Sequence, residues 1–152
     1  RLLAEHGYEV EAVSDGEAPE GRTLLLVGDD TALPAIGRIL EHLPPSTRAE
    51  ALIEVDGPDD RIALPQGDNI DIAWLYRWGR EAGAAGLLPA ALRERSHAAL
   101  VDGLFVWAGC EFTDFREIRK IVRKEWGLAR DRHLVTAYWR RGAQGENGDG
   151  EE

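Results

Sequence analysis

Thr23-Leu-Leu-Leu-Val-Gly-Asp-Asp-Thr-Ala-Leu-Pro-Ala-Ile-Gly37 decides the fold. Thr23 to Val27 is a continuous apolar run with no alternation, which predicts a strand covered on both faces, as in a parallel sheet. Gly28 bounds the run. Ala32 to Leu43 then reads as a helix, with Thr31 as its N-cap, Pro34 tolerated in the first turn and Pro44-Pro45 ending it. Strand, glycine turn and helix form the first half of a crossover unit, and a parallel sheet requires that unit to recur.

It does recur. Ala49 to Val55 reads as a strand, followed by the polar loop Asp56 to Asp60. Ile70 to Tyr76 is another strand, and Arg77 to Gly86 is Gly/Ala-rich and irregular. Leu87 to Val101 is mostly helical, with Pro89 in its first turn, and Leu104 to Ala108 is a buried strand ended by Gly109. The clearest helix is Glu111 to Trp126, where Phe112, Phe115, Ile118, Val122 and Trp126 recur every three or four residues and Gly127 closes the segment. His133 to Trp139 is the last strand. Upstream, Arg1 to His6 looks like a helix end stopped by Gly7, Tyr8 to Val13 alternates like a strand, and Ser14 to Arg22 is an acidic loop.

Three segments follow: an N-terminal helix and strand extension over 1–22, an α/β domain over 23–142, and a Gly/Glu-rich tail over 143–152 that is expected to be disordered. The expected fold is a three-layer α/β domain with an open, mostly parallel sheet, right-handed crossovers and helices on both faces. Ligands of such sheets sit at the carboxyl ends of the strands. That rule selects Gly28 to Ala32, Tyr76 to Gly79, Gly109 to Phe112 and Tyr138 to Arg141 as the functional rim.

Composition narrows the classes of function. At 152 residues and a formal net charge of -10, the chain suits one globular domain and has too little basic surface for a general binder of nucleic acid. No apolar run approaches the ~20 residues of a membrane helix and no signal peptide is evident, so a cytoplasmic protein without a membrane partner is expected. One cysteine excludes a disulfide framework, and four scattered histidines give no metal-ligand spacing. The charge is uneven: residues 1–71 carry 16 acidic against 5 basic residues, whereas half of all basic residues fall between Arg116 and Arg141. The second half is therefore the part able to hold an anionic small molecule, with an ordinary solvated helix face as the other reading. With no Met and Arg1 in first place, the chain reads as a fragment or as numbered after processing.

Chemistry concentrates on the rim. In Gly28-Asp29-Asp30-Thr31-Ala32, glycine permits close backbone approach, and the Thr31 hydroxyl and free helix amides offer donors to an anion such as a pyrophosphate. The generic GxGxxG fingerprint is absent. Two adjacent carboxylates repel by ~3 kcal/mol at ~6 Å and an effective dielectric of 20, so Asp29 and Asp30 must point away from a phosphate or be paired. A capped turn without ligand is the alternative. The acidic pair also suggests a receiver domain of two-component signalling, but Asp56 lies too near to be the phosphoacceptor, and the only lysines, Lys120 and Lys124, sit inside a helix. Arg77, just past a strand end, suits bidentate phosphate contact or, equally, pairing with an acidic neighbour. Gly109-Cys110-Glu111 opens a helix, where a thiol pKa can fall, although a lone cysteine more often simply packs. Tyr138-Trp139-Arg140-Arg141 places two aromatics beside two guanidiniums, which suggests a platform for a planar ligand or a domain contact.

Taken together, Leu25 to Gly37 (LLVGDDTALPAIG), Trp74 to Arg77 (WLYR), Val106 to Glu111 (VWAGCE), Phe115 to Arg119 (FREIR) and Ala137 to Gly142 (AYWRRG) resemble the C-terminal domain of siderophore-interacting proteins. These are flavin-dependent ferric-siderophore reductases related to ferredoxin-NADP reductase, and the family carries His where Tyr76 stands. The resemblance implies a ferredoxin reductase-like NAD(P)H-binding domain, with Gly28 to Ala32 at the pyrophosphate, Arg77 near the adenosine phosphate, and Gly109, Cys110 and Glu111 flanking the nicotinamide. Tyr138, Trp139 and Arg140 would lie near a flavin ring. It further implies hydride transfer from NAD(P)H to FAD and single-electron transfer to a ferric siderophore, with no metal site and no catalytic side chain of its own. The family's N-terminal FAD barrel and its RxYS/T motif are not found in this sequence. The expectation is therefore that this chain alone binds no FAD tightly, meets the ferric siderophore only indirectly, and relies on a flavin-binding domain or chain. The other expectation is a binding or docking module that kept the fold without turnover.

Overall fold

The computed structural model describes residues 23–100 and 102–142, so the readings for 1–22, Val101 and 143–152 lie outside the described residues. Among the described residues five strands form one sheet: β1 (Thr23–Asp29), β2 (Arg48–Val55), β3 (Ile70–Tyr76), β4 (Leu104–Glu111) and β5 (His133–Trp139). Their order is β3-β2-β1-β4-β5 and every pairing is parallel. All carboxyl ends therefore open on one edge, and the order reverses between β1 and β4, where a crevice forms beyond the strand ends.

Helices cover both faces. On one face α1 (Leu33–Glu41) lays Leu33, Ile36, Ile39 and Leu40 on Leu24, Leu26, Ile53, Phe105 and Trp107. On the other, α2 (Leu87–Arg93) and α3 (Phe112–Lys120) bury Leu88, Leu92, Phe115 and Ile118 against Leu25, Val27, Leu52 and Val106. At roughly 1.5–3 kcal/mol for each large apolar side chain removed from water, these two layers supply the main favourable term in folding. The strand between them is apolar on both sides because it faces helices on both sides.

Four boundaries differ from the sequence reading, each for a local reason. A 3-10 turn, Asp30–Ala32, precedes α1, and its cap is Asp29, whose carboxylate accepts from the Thr31 amide; Thr31 is not the N-cap. β4 continues through Gly109 to Glu111 because β5 offers it further partners, Cys110 against Ala137 and Glu111 against Trp139. The helix expected over Leu87 to Val101 is shorter: α2 ends at Arg93 and a 3-10 segment, Ser96–Leu100, follows, with the Arg95 amide bonded to Leu92 O at 2.8 Å. The last helix runs from Phe112 and slackens into a π turn, Ile121–Glu125, closed by the Trp126 amide on Ile121 O at 2.8 Å.

Candidate functional site

The two glycines of the sequence reading meet at the crevice. Gly28 of β1 and Gly109 of β4 are register partners at the point where strand order reverses. A Cβ on Gly28 would lie 2.7 Å from the Ala32 Cβ and 3.1 Å from the Gly109 carbonyl oxygen. Only glycine therefore lets the start of α1 close onto the strand. A Cβ on Gly109 would lie 2.8 Å from the Tyr138 ring and 3.2 Å from Trp107. Tyr138 rests directly on the Gly109 backbone, edge-on to Trp107 with ring centroids 6.2 Å apart, and stays 37% exposed.

The acidic pair is resolved by pairing, as the repulsion argument required. Asp29 is buried and turned to the α2/α3 side, where it accepts from the Thr31 amide, the Thr31 hydroxyl and the Trp139 indole N–H, the last at 2.9 Å. Burial raises its pKa, and those three hydrogen bonds oppose the rise. Asp30 is exposed and faces Arg77 Nη2 at 3.4 Å. The Thr31 hydroxyl thus donates to Asp29 instead of standing free for an anion.

Arg77 follows the second of its two sequence readings. It is buried, with Nη1 3.1 Å from Glu54 Oε2 and Nη2 on Asp30, so its guanidinium ties the ends of β2 and β1 to its own strand. Burial raises the Glu54 pKa, and Arg77 counters it through a hydrogen bond and its charge. The phosphate contact expected of Arg77 would require it to leave two carboxylates.

Cys110 lies in β4 and not at a helix start. It is wholly buried, and desolvation pushes its thiol pKa well above the ordinary value, which removes it as a nucleophile. Glu111 instead caps α3, accepting from the Thr113 amide at 2.7 Å and from the Arg141 amide at 3.0 Å. Arg140 places its guanidinium 4.4 Å from the Phe112 ring centroid. Tyr138 and Trp139 point to opposite faces of the sheet, so the aromatic pair at the end of β5 does not form one platform.

Two buried acids escaped the sequence reading. Glu54 was signalled by a lone carboxylate inside Ala51-Leu-Ile-Glu-Val55. Asp114, in the first turn of α3, gave no such sign. It is 2% exposed and its Oδ2 has no hydrogen-bond partner among the described residues; burial, with the charges of Glu54, Glu111 and Asp29, raises its pKa from 3.8 to about 7. Among the described residues no group of three or more His, Cys, Asp and Glu is arranged to hold a metal ion, and no helix is long and apolar enough to cross a membrane.

A five-stranded parallel sheet of this order with helices on both faces makes an α/β domain similar to that of ferredoxin-NADP reductase. Ferredoxin-NADP+ reductase from Plasmodium falciparum shares the fold at a TM-score of 0.59 and 9% identity, over 84% of this chain and 53% of that one. More narrowly, the chain belongs to the siderophore-interacting protein family, whose profile matches residues 21–142. A siderophore utilization protein from T. fusca superposes at a TM-score of 0.71 with 33% identity, covering 84% of this chain and 48% of its own. By sequence, Rv2895c of Mycobacterium tuberculosis is 35% identical over 91% of this chain and 53% of that protein. The ferric vibriobactin reductase ViuB of Vibrio cholerae is 30% identical over 80% of this chain and 44% of that protein. The chain spans about half the length of the curated relatives it matches.

Proposed function

We propose that this domain binds NAD(P)H at the reversal point and presents it to a flavin held by another domain or chain, as one half of a ferric-siderophore reductase. The observation that carries the reading is the place of the Gly28–Gly109 register pair, at the reversal point of the strand order, where the absence of side chains lets the start of α1 and the Tyr138 ring pack directly onto the strand ends beside the crevice. A crevice at that point of a parallel sheet is where such folds take a planar or phosphate-bearing ligand. The likeness to ViuB supports the assignment to ferric-siderophore reduction. Bound there, NAD(P)H would supply a hydride, and a flavin would pass its two electrons singly to ferric siderophore as the substrate, with the proton released to solvent.

The chain's own share is binding and electrostatics. Asp30 stands at the proposed pyrophosphate turn, and Arg77 offsets its charge from the inner side, reducing repulsion of the phosphates. Tyr138, on Gly109, covers the ground proposed for the nicotinamide, while Cys110 and Glu111 continue β4 beyond it, Cys110 packing into the opposite core. Trp139 and Arg140 remain proposed neighbours of the flavin, now by way of the end of β5 and not as a joint stacking surface. Calorimetric titration with NADH and NADPH tests the reading. Saturable binding of either is expected, tightened or weakened in Tyr138→Ala, and no heat up to millimolar nucleotide would reject it.

A further inference from the structure

We propose that the exposed face of α3 and its π turn is a docking surface for a short acidic peptide segment of a partner protein, separate from the nucleotide crevice. Arg116, Arg119, Lys120, Arg123 and Lys124 are all exposed and fall on one side of the helix, opposite the buried Phe115, Ile118, Ile121 and Val122. Together with Glu117 they surround a shallow depression of about 310 Å³. Among the described residues none of these five cations has a carboxylate within ion-pair distance. Of the three carboxylates of the same segment, Asp114 is buried and the other two are drawn to another helix: Arg93 of α2 holds Glu125 at 2.8 Å and Glu117 at 3.6 Å. Two of the guanidiniums are also held in place, with Arg116 6.0 Å from the Phe112 ring centroid and Arg119 5.2 Å from that of Phe115. Like charges this close repel, and pairing the neighbouring acids Glu117 and Glu125 with Arg93 leaves much of their field for an outside anion.

The size and setting of the stripe select the partner. From Arg116 to Lys124 it runs ~12 Å along the axis at 1.5 Å per residue. An extended peptide of four or five residues covers that length, and its alternate side chains, ~6.6 Å apart, approach the ~5.4 Å spacing of successive helical turns. A nucleic acid or a charged bilayer would extend past the stripe onto a body whose formal net charge is -10, and repulsion there favours a short ligand.

The test uses the whole chain and a fluorescein-labelled decaglutamate peptide, read by anisotropy. Because residues 143–152 hold Glu146, Asp149, Glu151 and Glu152, the same titration is run on a variant with those four as Gln or Asn. Saturable binding that weakens steeply with salt is expected, with a loss of about tenfold in R119E/R123E, since each reversal removes an attraction and adds a repulsion. R119Q/R123Q should lose less, and the distant exposed R61E should stay within about twofold. The proposal falls if neither form binds the peptide, if R119E/R123E binds unchanged, or if single-stranded DNA or phosphatidylserine vesicles bind more tightly than the peptide.

Discussion

The Trp139 indole N–H donates to Asp29 Oδ2 at 2.9 Å, joining the ends of β5 and β1, two strands that β4 separates. Asp29 is simultaneously the cap of the turn leading into α1. One buried carboxylate thus holds the strand-to-helix turn of the crevice against the far edge of the sheet.

Trp139→Phe keeps the ring and removes the donor. Asp29 would retain its two bonds from Thr31 but lose one of three inside a low-dielectric site. A loss of about 1–2 kcal/mol is expected in urea unfolding, and an unchanged midpoint would show that the bond contributes nothing.

Gly109→Ala should destabilise by about 1–3 kcal/mol through contact with the Tyr138 ring and Trp107. Tyr138 is partly exposed and able to yield, so Tyr138→Ala in the same chain should recover part of the loss. Additive single and double variants would mean that the two residues do not share the site.

Arg77→Ala leaves Glu54 buried without its counter-ion, at an expected cost of about 3 kcal/mol. Replacing both partners, as in E54L/R77M, should restore most of that stability because no buried unpaired charge remains, Asp30 being exposed to solvent. If the double variant is as unstable as R77A, the pair is not the source of the effect.

Asp114 sets a pH dependence. Its pKa rises from 3.8 to about 7 on folding, so the folded state holds the proton more tightly. The resulting stabilisation is complete below about pH 4 and is lost as pH rises through about 7. Asp29 and Glu54 are raised as well and add in the same direction. Asp114→Asn should be more stable than the parent at pH 8, by a few kcal/mol at most, and should flatten the profile between pH 5 and 8. Parallel profiles in thermal unfolding would rule out Asp114 as its cause.

The rim was legible in the sequence because glycines follow apolar runs at Gly28 and Gly109, and such punctuation is a local signal. The need to neutralise Asp29 and Asp30 was legible too, since repulsion between neighbours depends only on their spacing. Their partners were not, because Trp139 stands 110 residues from Asp29 and Arg77 stands 47 from Asp30. The place of Cys110 was misread for a related reason: whether a strand continues past a glycine depends on what the neighbouring strand offers, and Ala137 is remote in the chain.

Hydrophobic periodicity and turn residues, which act over a few positions, were enough to establish a parallel α/β domain and the edge on which the ends of its strands open. Register and crossover geometry, which emerge only when distant strands align, decided that Arg77 turns inward to Glu54, that Tyr138 and Trp139 part to opposite faces, and that Asp114 is buried among acids. Buried charge is costly unless paired, and its partner is chosen by the packed fold.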